Sequence, residues 1–265
     1  MDAVKHISSL GDIIKSYRGL VVAASGGMDS TFLSLVAHSV LGDGMKAVSV
    51  LSRFSIRREI ELFSGFARDR GIPHEIIEVD VMGVSGITQN GRDRCYHCKK
   101  AIFTRIKELA ARQGYGIVAD GSNLSDLGDF RPGKKALEEL GVVSPLSLAG
   151  FTRDLVRESL DVLGVDVPVK HSNSCLATRV EYGTRISDEV LDMVDAGEQL
   201  LHGMGFEPVR VRYHGGMARV ELSIDCVKIL INDDEKRIIV AEGLRRAGFS
   251  FVTIDIEGFR SGSMN

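Results

Sequence analysis

Residues 20–30, Leu20-Val21-Val22-Ala23-Ala24-Ser25-Gly26-Gly27-Met28-Asp29-Ser30, decide the fold. The run 20–25 is apolar without alternation, which is what a strand buried on both faces requires. Beyond the two glycines, Phe32, Leu35, Val36 and Val40 recur at helical spacing across 29–41. A doubly buried strand, a glycine turn and an amphipathic helix form the first half of a parallel βαβ unit. The same alternation continues outward. Strands are predicted at 46–52, 74–80 and 116–120, and helices at 56–70, 95–113 and 153–163. Strands alternating with helices in this way predict an α/β fold built on a doubly wound parallel sheet.

The rhythm changes after about residue 170. Residues 187–204 read as a long amphipathic helix, with Ser187 as N-cap and Asp188 and Glu189 in the first turn. Segments 208–214 and 217–223 alternate with period two around a glycine turn, the mark of a β-hairpin. A helix at 234–247 and a strand at 251–257 complete a smaller C-terminal α+β domain, expected to carry an antiparallel sheet. The expected boundaries are 1–170 for the first domain, 171–185 for a linker carrying Cys175, and 186–265 for the second.

Composition narrows the function. The chain has 265 residues, a net charge of −3, four cysteines, 29 glycines and no tryptophan. No apolar run reaches the ~18 residues of a membrane span. The charged, mixed start lacks a signal-peptide core, so a cytoplasmic location is expected. Four thiols in such a chain point to metal, cluster or redox chemistry, or to packing, and not to a disulfide framework. The near-neutral charge is spread evenly, which argues against a nucleic-acid partner.

A strand-to-helix turn with two glycines is an anion site, because backbone N–H groups at a helix start point at a phosphate. The loop is neither a Walker loop, since no Gly-Lys-Ser/Thr follows, nor a dinucleotide fingerprint. Ser-Gly-Gly-Met-Asp-Ser resembles the signature of the PP-loop ATP pyrophosphatases, whose domain is of the adenine nucleotide α hydrolase-like type. That resemblance implies that Ser25, Gly26, Gly27, Asp29 and Ser30 hold the pyrophosphate of ATP. Ser52 and Arg53, past the second strand, would then lie by the adenosine. Ligands of doubly wound sheets do bind at the carboxyl ends of strands.

Cys95 and Cys98 stand three apart at a helix start, so they face the same way. A helix N-terminus and the neighbouring Arg94, Lys99 and Lys100 favour thiolate. With Cys175, three thiolates could meet at one site. Zinc completed by His97 or His171, an iron–sulfur cubane with one open iron, a redox pair, and unrelated buried thiols all remain open readings. Cys226 sits in core-like periodicity and reads as packing.

Residues 90–146, 175–187, 209–222 and the tail 258–265 are similar to the LarE family of PP-loop sulfur transferases, and the match covers nearly the whole chain. The resemblance implies an enzyme that uses ATP and Mg²⁺. It adenylates a carboxylate of pyridinium-3,5-biscarboxylic acid mononucleotide, and a sulfur donor converts that group to a thiocarboxylate. Such relatives form homo-oligomers, hexamers among them. Some sacrifice one cysteine, which matches Cys175 here; others hold a [4Fe-4S] cluster on three cysteines, which the added Cys95 and Cys98 match. The resemblance further implies that Arg210, Arg212 and Arg260 bind the substrate phosphate. Arg179, Asp129 and Arg131 would stand near the reacting carboxylate, and Glu221 and Asp233 at a divalent ion. Read on its own, the face shared by Arg210, Arg212 and His214 is either solvated or an anion site. A PP-loop tRNA thiolase, an ammonia-using ligase and a nucleotide sensor with structural zinc are the rival readings.

Overall fold

In the computed structural model, residues 2–126, 132–168 and 174–260 are described. The chain divides into two compact units. Unit 1 comprises Met1–Ser85 and Asp93–Asn173, and unit 2 comprises Gly86–Arg92 and Ser174–Asn265.

Unit 1 begins with α1 (Asp2–Lys15), followed by β1 (Leu20–Ala23), α2 (Met28–Leu41), β2 (Met45–Leu51), α3 (Arg57–Asp69) and β3 (His74–Glu78). After the excursion into unit 2 come α4 (Arg94–Arg112), β4 (Ile117–Ala119), α5 (Pro132–Glu139), α6 (Pro145–Leu148) and α7 (Arg153–Val162). The four strands pair in parallel in the order β3-β2-β1-β4. This is the α/β fold expected from the strand–helix alternation. The sheet is covered on both faces. Leu20, Val22 and Ala47 join Leu10, Ile14, Phe32, Phe63 and Phe151 on one side. Val21, Val48 and Val118 pack against Phe103, Ile106, Leu109 and Leu137 on the other. Helix α1 had no counterpart in the sequence reading, although it buries Ala3, Leu10 and Ile14 at helical spacing.

The strand order distinguishes one end of the sheet. From β1 the chain winds one way to β2 and β3, then crosses back so that β4 pairs with the opposite edge of β1. The carboxyl end of β1 therefore lies where the winding reverses, the place where such sheets open a ligand crevice.

Unit 2 contains α8 (Asp188–Gly203), β5 (Val209–His214), β6 (Met217–Leu222), α9 (Ile224–Asn232), α10 (Asp234–Arg246) and β7 (Phe251–Ile254). Ser187 caps α8 as expected, its hydroxyl accepting the Val190 N–H. Strands β5 and β6 form the antiparallel hairpin. Strand β7, however, runs parallel to β6, so the sheet is mixed and not wholly antiparallel. Helix α10 lies between the two strands in sequence and provides the crossover that a parallel pair needs. Cys226 is half-buried on the first turn of α9, whose buried residues are Val227 and Leu230.

The short segment Gly86–Arg92 belongs to unit 2 through specific bonds. Asn90 is fully buried with φ 55°, a left-handed conformation that asparagine tolerates. Its side-chain amide donates to the Val180 and Glu181 carbonyls at 3.2 and 2.8 Å. Gly183 N–H donates to the Asn90 carbonyl, and Ile186 N–H to that of Thr88. Among the described residues no helix is long and apolar enough to cross a membrane.

Candidate active site

The loop after β1 is knitted by its own hydroxyls. Ser30 Oγ accepts the Ser25 N–H at 3.2 Å and donates to the Gly27 carbonyl at 3.1 Å. Thr31 Oγ1 donates to that same carbonyl at 2.9 Å. Gly27 is the N-cap of α2 and brings no capping side chain. The first-turn N–H groups therefore point outward as donors for an anion. Gly26 has φ 87°, and a Cβ there would stand 2.6 Å from the Glu59 carbonyl oxygen, so no other residue fits. Gly121, just past β4, approaches as closely: its Cβ would lie 2.9 Å from Ser30 N.

Asp29 lies in the first turn of α2, beside the Asn123, Asp126 and Arg153 group that sequence reasoning did not single out. Burial raises its carboxyl to about 6; Arg153, the Asn123 amide and Arg157 oppose the rise and Asp126 adds to it. Asp29 Oδ1 is buried without a hydrogen-bond partner among the described residues. The segment bearing Asn123 and Asp126 was visible only as part of the family motif, since the carboxyl end of β4 brings it to this loop. In the same segment Asp120 is buried and accepts from Ser122 and Ser144 hydroxyls at 2.5 and 2.6 Å. Ser52 and Arg53 follow β2 directly, at the carboxyl end of the sheet. There Ser52 N–H donates to Ser55 Oγ at 3.0 Å, closing a tight turn.

Cys95 and Cys98 occupy the first turn of α4, both half-buried and neither in a disulfide. Arg94, only 2% exposed, places Nη2 at 3.8 Å from Cys95 Sγ. His97, a possible further ligand in the sequence reading, pairs through Nε2 with Asp93 at 3.1 Å. Lys100 pairs with Glu139 on α5 at 2.7 Å, and Tyr96 donates to the same carboxylate. Those bonds hold the Lys100 ammonium well above, and the Glu139 carboxyl below, their ordinary values.

In unit 2, Cys175 is half-buried immediately before a helical turn, Leu176–Arg179. Arg179 is fully buried. Its Nε and Nη2 donate to the two oxygens of Glu198, on α8, at 2.7 and 3.0 Å. Its Nη1 reaches the Ser174 carbonyl at 2.7 Å, Thr178 Oγ1 at 3.0 Å and the Cys175 carbonyl at 3.2 Å. Glu198 was not foreseen, because its partner lies 19 positions away and no local pattern joins them.

On the polar face of the hairpin three charged side chains are buried, while Arg219 and His214 keep partial exposure. Arg210 and Arg212 are each 4% exposed and Glu221 is fully buried. Glu221 accepts from Arg212 and from Arg219, both at 2.9 Å. Arg212 also donates to the Thr178 carbonyl at 3.0 Å, so it too touches the Cys175 segment. The Arg210 guanidinium lies over the Phe259 ring. Arg260 pairs with Glu257 at 2.7 Å and approaches Asp255 at 3.5 Å, and Asp255 also faces Arg219. Asp233 caps α10 and pairs with Lys236, which holds its carboxyl below the usual range. Glu221 and Asp233 are thus each engaged by cationic side chains of the chain itself. Asp129, Arg131 and His171 lie outside the described residues. Among the described residues no three His, Cys, Asp or Glu side chains are grouped to hold a metal ion.

No family model matches the chain. It is 35% identical over 245 residues to the uncharacterized protein slr1717 of Synechocystis, covering 92% of this chain and 91% of that one. It is 34% identical over 255 residues to the pyridinium-3,5-bisthiocarboxylic acid mononucleotide synthase of Lactiplantibacillus plantarum, covering 95% and 91%. The chain belongs to the LarE family. A shorter likeness, 32% over 117 residues and 40% of this chain, is to the tRNA-5-methyluridine(54) 2-sulfurtransferase of Thermus thermophilus. Membership of the LarE family makes the loop after β1 a PP-loop and implies ATP use by a sulfur transferase.

Proposed function

We propose that the protein is an ATP-dependent, AMP- and pyrophosphate-forming sulfur transferase that acts on pyridinium-3,5-biscarboxylic acid mononucleotide. The observation that carries this reading is the likeness to the Lactiplantibacillus plantarum synthase, which extends over 95% of the chain and hence over both units. The loop geometry supports it. Residues Ser25, Gly26, Gly27, Asp29 and Ser30 bind the β- and γ-phosphates with Mg²⁺, and Ser52 and Arg53 flank the adenosine. A substrate carboxylate oxygen attacks the α-phosphorus and pyrophosphate leaves. Sulfide then adds to the acyl carbon and AMP departs with the original oxygen, leaving a thiocarboxylate. Open N–H donors at the start of α2 favour negative charge on the departing pyrophosphate.

Three thiols outside any disulfide suit a [4Fe-4S] cluster by the chemistry of the donor set, with Cys95, Cys98 and Cys175 as its holders. When bound, such a cluster supplies sulfide from its open iron. Without one, Cys175 Sγ would displace AMP from the acyl carbon to form a thioester, and loss of the Cα proton with cleavage of the Cβ–Sγ bond would leave the thiocarboxylate and a dehydroalanine at 175. Asp129 and Arg131 act near the carboxylate, and Arg210, Arg212 and Arg260 at the substrate phosphate. Glu221 and Asp233 would serve a divalent ion only after giving up their present cationic partners. The partners are a small nucleotide and a sulfide donor, in a cytoplasmic homo-oligomer such as a hexamer, with neither nucleic acid nor membrane.

A tRNA thiolase is the second reading, favoured by the likeness to the Thermus enzyme over 117 residues. The net charge of −3 weighs against it. The test is ATP–pyrophosphate exchange with each substrate, followed by mass spectrometry for oxygen replaced by sulfur. Exchange driven by the dicarboxylate nucleotide is expected; exchange driven by tRNA alone would overturn the reading. Anaerobic protein should carry iron and labile sulfide, and zinc in their place would remove the cluster.

A further inference from the structure

We infer that Arg179 is a positioning residue which, through Glu198, fixes the backbone that presents Cys175, and is not a group acting on the reacting carboxylate. The inference deepens the proposed function and rests on Cys175 being the thiol that serves sulfur transfer.

The geometry of the guanidinium carries it. Arg179 is fully buried, and Glu198 takes two of its nitrogens in a fork. The remaining nitrogen, Nη1, is spent on Ser174, Cys175 and Thr178. A planar guanidinium has five N–H donors in a fixed fork. Every one of its three nitrogens here faces a protein acceptor, so a substrate carboxylate would have to displace one of them.

Glu198 is itself anchored. Its Oε1 also accepts the Val211 N–H of β5 at 3.0 Å. The Cys175 segment is thus tied through Arg179 to α8 and β5, and through Arg212 to Glu221 on β6. Carbonyl acceptors on both sides of the thiol are pinned, and the side chain of Cys175 is half-buried between them. Ionised donors make these bonds about twice as strong as neutral ones, which suits a segment that must hold one geometry.

The test uses the full-length protein in three forms: Glu198→Gln, Arg179→Lys, and the paired change Arg179→Met with Glu198→Leu. The pair replaces a buried ion pair by apolar side chains, a change that folds often tolerate. Cys175 reactivity is read by the rate of iodoacetamide labelling of its peptide in apo protein, with Cys226 as the internal reference. Labelling of Cys175 should rise about tenfold in Glu198→Gln and in the paired variant, as expected for a lost charge-assisted bond. Arg179→Lys should restore part of the protection. Nucleotide-driven ATP–pyrophosphate exchange should keep its KM for ATP, while kcat for thiocarboxylate formation falls. Unchanged Cys175 labelling in a variant that melts cooperatively would overturn the inference. So would loss of exchange with Cys175 still protected, which would make Arg179 a substrate group. Wild-type protein that supports no exchange would sink the proposed function alone, since the labelling rates stand independently of it.

Discussion

The PP-loop and the Cys175 segment are both short turns leading into a helical turn, yet their polarity is opposite. The loop of residues 25–30 is closed by small hydroxyls and presents outward N–H groups, with Asp29 half-buried beside them and its Oδ1 buried. The Cys175 segment is gripped from inside, its carbonyls capped by Arg179 and Arg212, whose charges are met by Glu198 and Glu221. One turn keeps donors open for an incoming anion; the other uses its cations to hold itself in place. The contrast teaches that arginines beside a cysteine can belong to the scaffold, whereas a loop nearly bare of charge can keep its donors open.

The comparison can be broken by experiment. The largest effect is expected at Glu221→Ala, which leaves buried Arg212 and half-buried Arg219 without their shared carboxylate. Breaking such a pair costs about 3–5 kcal/mol, read by urea denaturation. A change below 1 kcal/mol would show that the cluster is not structural. Next comes Gly26→Ala, where strain at φ 87° adds to the clash with Glu59. It should cost about 1–3 kcal/mol of stability and abolish pyrophosphate release, since the loop backbone must move.

Asp29→Asn sharpens the comparison through pH. The folded carboxyl sits at about 6, above its ordinary value of 3.8. Between those values the folded state holds the proton that the unfolded state has released, so stability falls as pH rises through the window. The variant should therefore gain on wild type from pH 4 to 6, then keep a constant lead above pH 6, while losing pyrophosphate release. A parallel offset at every pH, by denaturation between pH 4 and 8, would contradict the assignment. The smallest effect is expected at Lys100→Met. Its ion pair with Glu139 is exposed, and such pairs contribute little. An unchanged unfolding midpoint checks this.

Much of this was legible in the sequence because it is local. Periodicity found β1, α2 and the hairpin, and Ser187 with its acidic first turn marked the start of α8. The spacing of Ala3, Leu10 and Ile14 carries α1 as well. Strand direction was not legible: alternation tells which face a residue takes, not which way the strand runs, so β7 was misjudged. Nor was the fate of the arginines. Alternation put Arg210 and Arg212 on one face, but only the pairing register brings Glu221 opposite Arg210 and Arg219 opposite Arg212. The Glu198 fork on Arg179 depends on how α8 crosses β5, which no pattern within either segment records.

The excursion Gly86–Arg92 governs the order in which the molecule can be built. These residues precede their partners at 180–186 by about 90 positions, so the Asn90 amide meets the Val180 and Glu181 carbonyls only once the later stretch is made. Each unit is made of two separated stretches of chain. Cutting the protein near residue 170 therefore does not yield a self-sufficient half: the N-terminal fragment would display a buried isoleucine and an asparagine that has lost its acceptors. Forming unit 2 means closing the long loop between Gly86–Arg92 and the residues from Ser174 onward, with the entropic cost that brings.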